Sequence, residues 1–362
     1  MIFFIKKLIR IPSVVGNQKA IQKCFDNIVQ QFGGILKHQY KRCRNRRILI
    51  LSNTSQKKVD IIFLCHIDVV NFGGAPTTPI VKNGRLFGRG AYDMKGSLVA
   101  TLFGVRDFLI SCPDSGIKVA CIITADEETD GFSSQYVCSE LGYHSSFAIV
   151  PDGGSMRDMI IKEKGFIQFE VEIFGNGCHA AYPWRQRNPL DVILYIYADL
   201  QKKFTCPKNV FDWKTSVVLT VLHAGNQNNQ IPVSARACFD VRYVTTQDKK
   251  QVEKMIQKYL KAKDMCTIIS ESPLLKTSPK EKSIVLLQKA IKHTTGKKPK
   301  CAQEPGTSDA TFLAEAGITT VLIRPYGDNA HQDDEWVSIV SLKQFRNVVN
   351  EFLLLYSSEK TK

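Results

Sequence analysis

Seven side chains able to hold a divalent cation, or to sit beside one, lie at the ends of apolar runs spread along the chain. They are His66 and Asp68 in FLCHIDVV, Asp93 in GRGAYDMKG, Glu127 and Glu128 in TADEETDG, Asp152 in IVPDGG and His331 in DNAHQDDEW. Imidazole nitrogens and carboxylate oxygens are the donors that zinc, manganese and cobalt accept. Two histidines, one carboxylate with two oxygens to share and further carboxylates on either side would suit a pair of cations. Each residue also has a plainer reading. His66 with Asp68 forms H-x-D, in which the carboxylate lies on the same side of an extended chain. It would hold the second ring nitrogen of a ligating histidine, or the two are a core histidine and a solvated acid. Asp93 bridges cations or caps the helix that follows. Glu127 and Glu128 are neighbours that point apart, so one can ligate while the other faces substrate, or both sit on a solvent loop. Asp152 and His331 are ligands, or a turn aspartate and a structural histidine.

The elements that must carry these residues can be read from periodicity. VDIIFLC, IKVACIITA, SFAIVPD and ITTVLIRP are buried strands, and a candidate residue follows each one. NQKAIQKCFDNIVQQF, GSLVATLFGVRDFLI, SIVLLQKAIKHTTG, TSDATFLAEAG and SLKQFRNVVNEFLLLY have helical spacing. Strands alternating with helices predict an α/β fold, a mostly parallel sheet with helices on both faces. In such sheets ligands bind beyond the carboxyl ends of the strands. The middle of the chain reads β-α-β-β-α-β, the ferredoxin-like split unit. The expectation is a discontinuous domain, 1–164 with 276–362, and an inserted ferredoxin-like α+β domain, 165–275.

Composition narrows the classes. Of 362 residues, 44% are hydrophobic and 23% charged, a globular balance with room for two domains. The formal net charge of +15 is scattered, and only KRCRNRR at 41–47 is dense. Lying between two strand-like runs, it reads as a solvated hairpin loop, so no nucleic-acid partner is expected. The eleven cysteines include no C-x-x-C pair, which argues against a thiolate zinc site. Several lie in apolar runs, and an odd number of thiols suggests a reducing compartment. No segment has the ~18 apolar residues of a membrane span, and MIFFIKKLIR lacks the layout of a signal peptide. The expected location is cytoplasmic, with no membrane partner.

Taken together, IPSVVGN, CHIDVV, LFGRGAYDMKG, ADEETDG, VPDGG, GCHAAYPWRQRNPL, NQIP, FDVR, GTSDATF and HQDDEWV resemble the dizinc metallopeptidase and deacylase family. That family includes acetylornithine deacetylase, succinyl-diaminopimelate desuccinylase, aminoacylase and the glutamate-releasing carboxypeptidases, and the match covers nearly the whole length. The resemblance implies a zinc-peptidase-like catalytic domain with an inserted lid or dimerisation domain. It implies two Zn2+, with Co2+ or Mn2+ as substitutes: His66 and Asp152 on one, Glu128 and His331 on the other, Asp93 between. It makes Asp68 the partner of His66, and Glu127 the general base. His179 becomes the histidine that reaches the reacting carbonyl. Asn229, Arg242 and the turn Gly306-Thr307-Ser308 become the residues that hold substrate. It further implies a homodimer.

The implied activity is removal of an acyl group from a small anionic N-acyl amino acid. A metallo-exopeptidase acting on short peptides is the alternative, and a non-catalytic binding protein of the same fold is a third reading. Two positions depart from the desuccinylase branch. Where that branch has paired arginines before the glycine entering the insert, this chain has Glu163-Lys164-Gly165. Where it carries Glu, this chain has Asp152, as in the peptidase branches. Either carboxylate can ligate zinc.

Overall fold

The computed structural model describes residues 1–76 and 78–360. It divides into two compact units, one of residues 1–162, 275–303 and 308–362, the other of 163–274 with 304–307. The stretch 304–307, expected with the large domain, clusters with the second unit, where the Thr307 hydroxyl donates to the Lys164 carbonyl at 2.8 Å.

The first unit is built on a nine-stranded sheet. Its main path runs Lys37–Cys43, Arg46–Ser52, Val119–Thr124, Lys58–His66, His144–Val150, Thr319–Leu322, Asp158–Glu163, Leu275–Lys276, with Lys300–Glu304 also paired to Asp158–Glu163. The four central strands, Val119–Thr124, Lys58–His66, His144–Val150 and Thr319–Leu322, are parallel. Antiparallel pairings extend the sheet on either side. Separate buried clusters pack against alternating strand residues: Ile61, Phe63 and Cys65 belong to one, Ile62 and Leu64 to the other. A sheet covered on both faces explains why these strands read as continuous apolar runs.

The chain 41–47 departs from the loop expected there. The strand continues to Cys43, which is buried, and resumes at Arg46, leaving a two-residue turn with Arg44 at φ +53°. Arg46 pairs with both Asp126 and Asp130, so part of this charge is structural.

The second unit has the order expected of a ferredoxin-like fold. Its antiparallel sheet runs Ser216–Ala224, Ser234–Tyr243, Gly165–Phe174, Met265–Ser272, with helices Pro189–Lys203 and Thr246–Gln257. Gly165–Phe174 alternates strictly between buried and half-buried residues, as expected of a sheet with one face on its own core. Among the described residues, no helix is long and apolar enough to cross a membrane.

Candidate metal centre

Apart from Asp93, every candidate ligand is delivered by the carboxyl end of a central parallel strand or by the chain that follows it. His66 ends Lys58–His66, and Glu127 and Glu128 follow Val119–Thr124. Asp152 follows His144–Val150, and His331 lies in the loop after Thr319–Leu322. Asp93 comes from the turn before the helix Lys95–Ser111, and its peptide bond to Met94 is cis. Gly90 permits that turn. Its φ is +82°, and a Cβ there would meet Val69 Cγ1 at 2.9 Å and Lys95 Cδ at 3.0 Å.

The geometry centres on Asp93. Its Oδ1 lies 3.3 Å from His66 Nε2, and its Oδ2 lies 3.1 Å from His331 Nε2. The two histidines therefore face different oxygens of one carboxylate. On the His66 side, Nε2 is 3.7 Å from Asp152 Oδ2 and 4.0 Å from Glu127 Oε2. On the His331 side, Nε2 is 3.0 Å from Glu128 Oε2. Ligand atoms of His66, Asp93 and Glu128 lie within 4.8 Å of one another, as do those of His66, Glu127 and Asp152.

These residues fit divalent cations. His66 Nε2 and Glu128 Oε1 are buried with no hydrogen-bond partner, and buried polar atoms rarely stay unpaired. The donors are imidazole and carboxylate throughout, a set suited to zinc, manganese or cobalt. The second ring nitrogen of His66 is held: Nδ1 lies 3.1 Å from the Asp68 carbonyl and 3.4 Å from Asp68 Oδ1. The main contact is thus the Asp68 backbone. The carboxylate of Asp68 also accepts the Glu128 N–H at 3.0 Å, which fixes the turn carrying both glutamates.

The electrostatics follow from crowding. Burial alone would lower the pKa of His66, but Asp152, Asp68 and Asp93 outweigh it and hold the ring well above the ordinary histidine range. Asp93 and Glu128 raise His331 to about 10. Burial would raise Asp93, yet the two histidines bring it well below the usual carboxylate range. Burial and then Asp93 push Asp152 up to about 6. Burial, with Asp152 beside it, holds Glu127 well above the ordinary glutamate range. In the absence of cations, protons on histidine offset the negative charge.

The residues expected to hold substrate lie largely in the second unit. His179 sits in a short ladder with Gln230, and the Ala180 N–H donates to the Asn229 carbonyl at 2.8 Å, so Asn229 lies in the turn that leads into the strand paired with His179. Arg242 is engaged by Asp240, with Nε to Oδ1 at 2.8 Å and Nη2 to Oδ2 at 3.2 Å, and its guanidinium lies over Phe166. Gly306 and Thr307 belong to this unit, while Ser308 belongs to the first, where its Oγ accepts the Ala310 N–H. Lys164 is buried and donates to the Lys214 carbonyl at 2.8 Å.

Several charged residues around the centre were not singled out by residue type. Asp126 is fully buried, accepts the Ser133 N–H and pairs with Arg46, pinning the turn before Glu127. Arg324 lies 3.8 Å from Asp152 and stacks over Tyr92. Arg89 and Glu335 form a buried ion pair between the Asp93 turn and the His331 loop. The available signal was a charged residue inside a glycine-rich or strand-flanking motif.

The chain superposes on aminopeptidase PepT from Bacillus cereus with a TM-score of 0.81, covering 98% of this chain and 97% of that one at 16% identity. It superposes on a dinuclear metal-binding peptidase of the M20 family from Bacillus subtilis with a TM-score of 0.68, covering 99% and 100% at 14% identity. The fold is therefore one that this chain shares with these two peptidases. A succinyl-diaminopimelate desuccinylase from Variovorax paradoxus is 29% identical over 316 residues, 81% of this chain and 80% of that protein. Residues 62–355 match the peptidase family M20/M25/M40, and the chain belongs to that family. As a member it is a metal-dependent hydrolase of amide bonds.

Proposed function

We propose that the chain removes the acyl group from a small anionic N-acyl amino acid, in the manner of an acetylornithine deacetylase or succinyl-diaminopimelate desuccinylase, with two Zn2+ held by His66, Asp93, Glu128, Asp152 and His331. The observation that carries the reading is Asp93, whose two oxygens face two different histidines. Its similarity to succinyl-diaminopimelate desuccinylases supports the acyl-amino-acid substrate.

When bound, the cations supply Lewis-acid polarisation of the scissile carbonyl and make water more acidic. Glu127 does the proton work. It lies beside His66 and Asp152, and burial raises its proton affinity, which suits a group that must take a proton from water and pass it to the departing amine. His179 is the proposed hydrogen-bond donor to the developing oxyanion. Asn229, Arg242 and Gly306-Thr307-Ser308 are the proposed contacts to the substrate's carboxylate and backbone. For Arg242, binding a free carboxylate would mean sharing or releasing Asp240. The surplus positive charge would draw anionic substrates toward the protein.

A second reading, an exopeptidase of the same family, is favoured by one observation. Lys164 spends one of its donors on the Lys214 carbonyl and sits near Trp213, so the place of a paired-arginine acyl clamp holds a single ammonium and no two-pronged guanidinium. A panel of acetylornithine, succinyl-diaminopimelate, N-acetyl amino acids and dipeptides, with and without chelator, separates the readings. Turnover of dipeptides alone would overturn the deacylase. No turnover of any member by zinc-loaded protein would count against both.

The second unit is proposed to serve as lid and dimerisation domain. Its edge strand Ser216–Ala224 exposes Val218, Val221 and Leu222, apolar residues that a second copy would cover. Sedimentation at micromolar concentration would show a dimer, and a monomer would refute it. The eleven cysteines are all free, which supports a reducing, cytoplasmic setting.

A further inference from the structure

The ring of His331 is 53% exposed, and residues 328–334 lie mostly at the surface. Side-chain packing therefore does not determine where His331 Nε2 points. Its backbone has φ +65°, a conformation uncommon for a residue with a Cβ. What holds it is a buried ion pair. Arg89 Nη2 donates to the His331 carbonyl at 3.1 Å, and Nη1 donates to Glu335 Oε2 at 3.1 Å. The Glu335 carboxylate also accepts the N–H groups of Gly90 at 2.9 Å, Tyr92 at 2.8 Å and Asp93 at 3.0 Å. Arg89 and Glu335 are 2% and 1% exposed.

A buried ion pair is a poor device for stability alone, because losing water costs about as much as the attraction returns. Apolar side chains of equal volume would fill the space as well. They would not supply directed bonds to the backbone of both Asp93 and His331. Arginine is required rather than lysine, since its planar fork reaches two acceptors at a fixed angle.

We propose that Arg89 and Glu335 are positioning residues that set the spacing between Asp93 and His331, and so the affinity of the cation position formed by Asp93, Glu128 and His331, without touching metal or substrate themselves. The proposal rests on the two-cation reading above. The test titrates metal-free wild type, Arg89→Lys and Glu335→Gln with Zn2+ against a chromophoric chelator, alongside thermal unfolding of the metal-free proteins. In each variant one of the two zinc affinities is expected to fall at least ~10-fold, the low end for residues that orient metal ligands, while the other stays within about twofold. Adding Arg89→Lys to His331→Ala should weaken zinc binding no further, because both act on one position. A purely structural pair would lower the unfolding temperature and leave both affinities of the folded protein unchanged, which overturns the proposal. Equal weakening of both positions overturns it too, as does failure of both variants to fold. Wild type that binds fewer than two zinc ions would refute the two-cation reading instead.

Discussion

His66 and His331 meet the same carboxylate from opposite sides, and they are held by opposite means. The His66 side chain is 2% exposed at the end of a central strand, and its ring is fixed by the sheet and by Asp68. His331 is half exposed on a loop, and its backbone is tied by a single guanidinium. The difference shows two ways of fixing a candidate ligand. One places it where packing already leaves no freedom. The other ties a surface loop to a buried pair and leaves the ring open to solvent. For Asp93 to bridge two cations as proposed, both sides must be in register, because either histidine alone leaves half of the carboxylate unused.

Breaking the bridge should have the largest effect, because it does not discriminate between the sides. Asp93→Ala is expected to abolish tight binding of both cations and to reduce amide hydrolysis to background. Metal analysis of the dialysed protein checks this. Retention of two tightly held cations would show that Asp93 does not join the two sides.

Glu127→Gln sharpens the comparison by sparing the metal. The residue lies on the His66 side, 4.0 Å from its Nε2, but its proposed work is proton transfer. kcat should fall at least ~100-fold, the low end of general-base contributions, with metal content unchanged. Wild-type turnover in this variant would remove Glu127 from the chemistry.

The contrast between the sides can be measured directly in metal-free protein. His66→Ala removes the cation among Asp68, Asp93 and Asp152 in a buried place, and breaking a buried pair costs about 3 kcal/mol or more. His331→Ala removes a half-exposed charge, where water screens the loss and an exposed pair contributes about 1 kcal/mol or less. Denaturant unfolding with chelator present compares the two. Equal losses would mean that burial does not separate the two sides.

Much of this was legible in the chain. His66, Glu127, Glu128 and Asp152 announce themselves because charged or polar residues follow runs such as VDIIFLC and IKVACIITA, where a parallel strand ends and a site begins. The split β-α-β-β-α-β unit was legible because Gly165–Phe174 and Ser234–Tyr243 alternate with period two. What was hidden depends on partners distant in sequence. Arg89 and Glu335 lie 246 residues apart, and neither is unusual among its neighbours. Arg46 finds Asp126 across 80 residues, and so part of the charge in KRCRNRR is paired rather than solvated. Periodicity reports which face a residue takes. It does not report which residue from another segment arrives opposite.

The smallest expected effect is a matter of protons, and here both sides act together. In metal-free protein Asp93 and Glu128 raise His331 to about 10, which keeps its ring charged at pH 7, and the carboxylates around His66 hold that ring above its ordinary value. A group whose pKa is raised by folding stabilises the fold below its unfolded pKa of about 6.5 and loses that contribution as pH rises through the folded value. The metal-free fold should therefore lose the His331 contribution as pH rises from about 6.5 toward about 10. Cation binding runs the other way, because a ligating imidazole must be neutral. Loading with zinc at pH 7 should release about one proton from His331, besides any from Glu127, Asp152 and His66, whose proton affinities are also raised, and affinity should rise with pH over the same window. Calorimetric titration in buffers of different ionisation enthalpy counts the protons. A count that does not fall by about one in His331→Ala would show that the His331 ring does not change charge on loading.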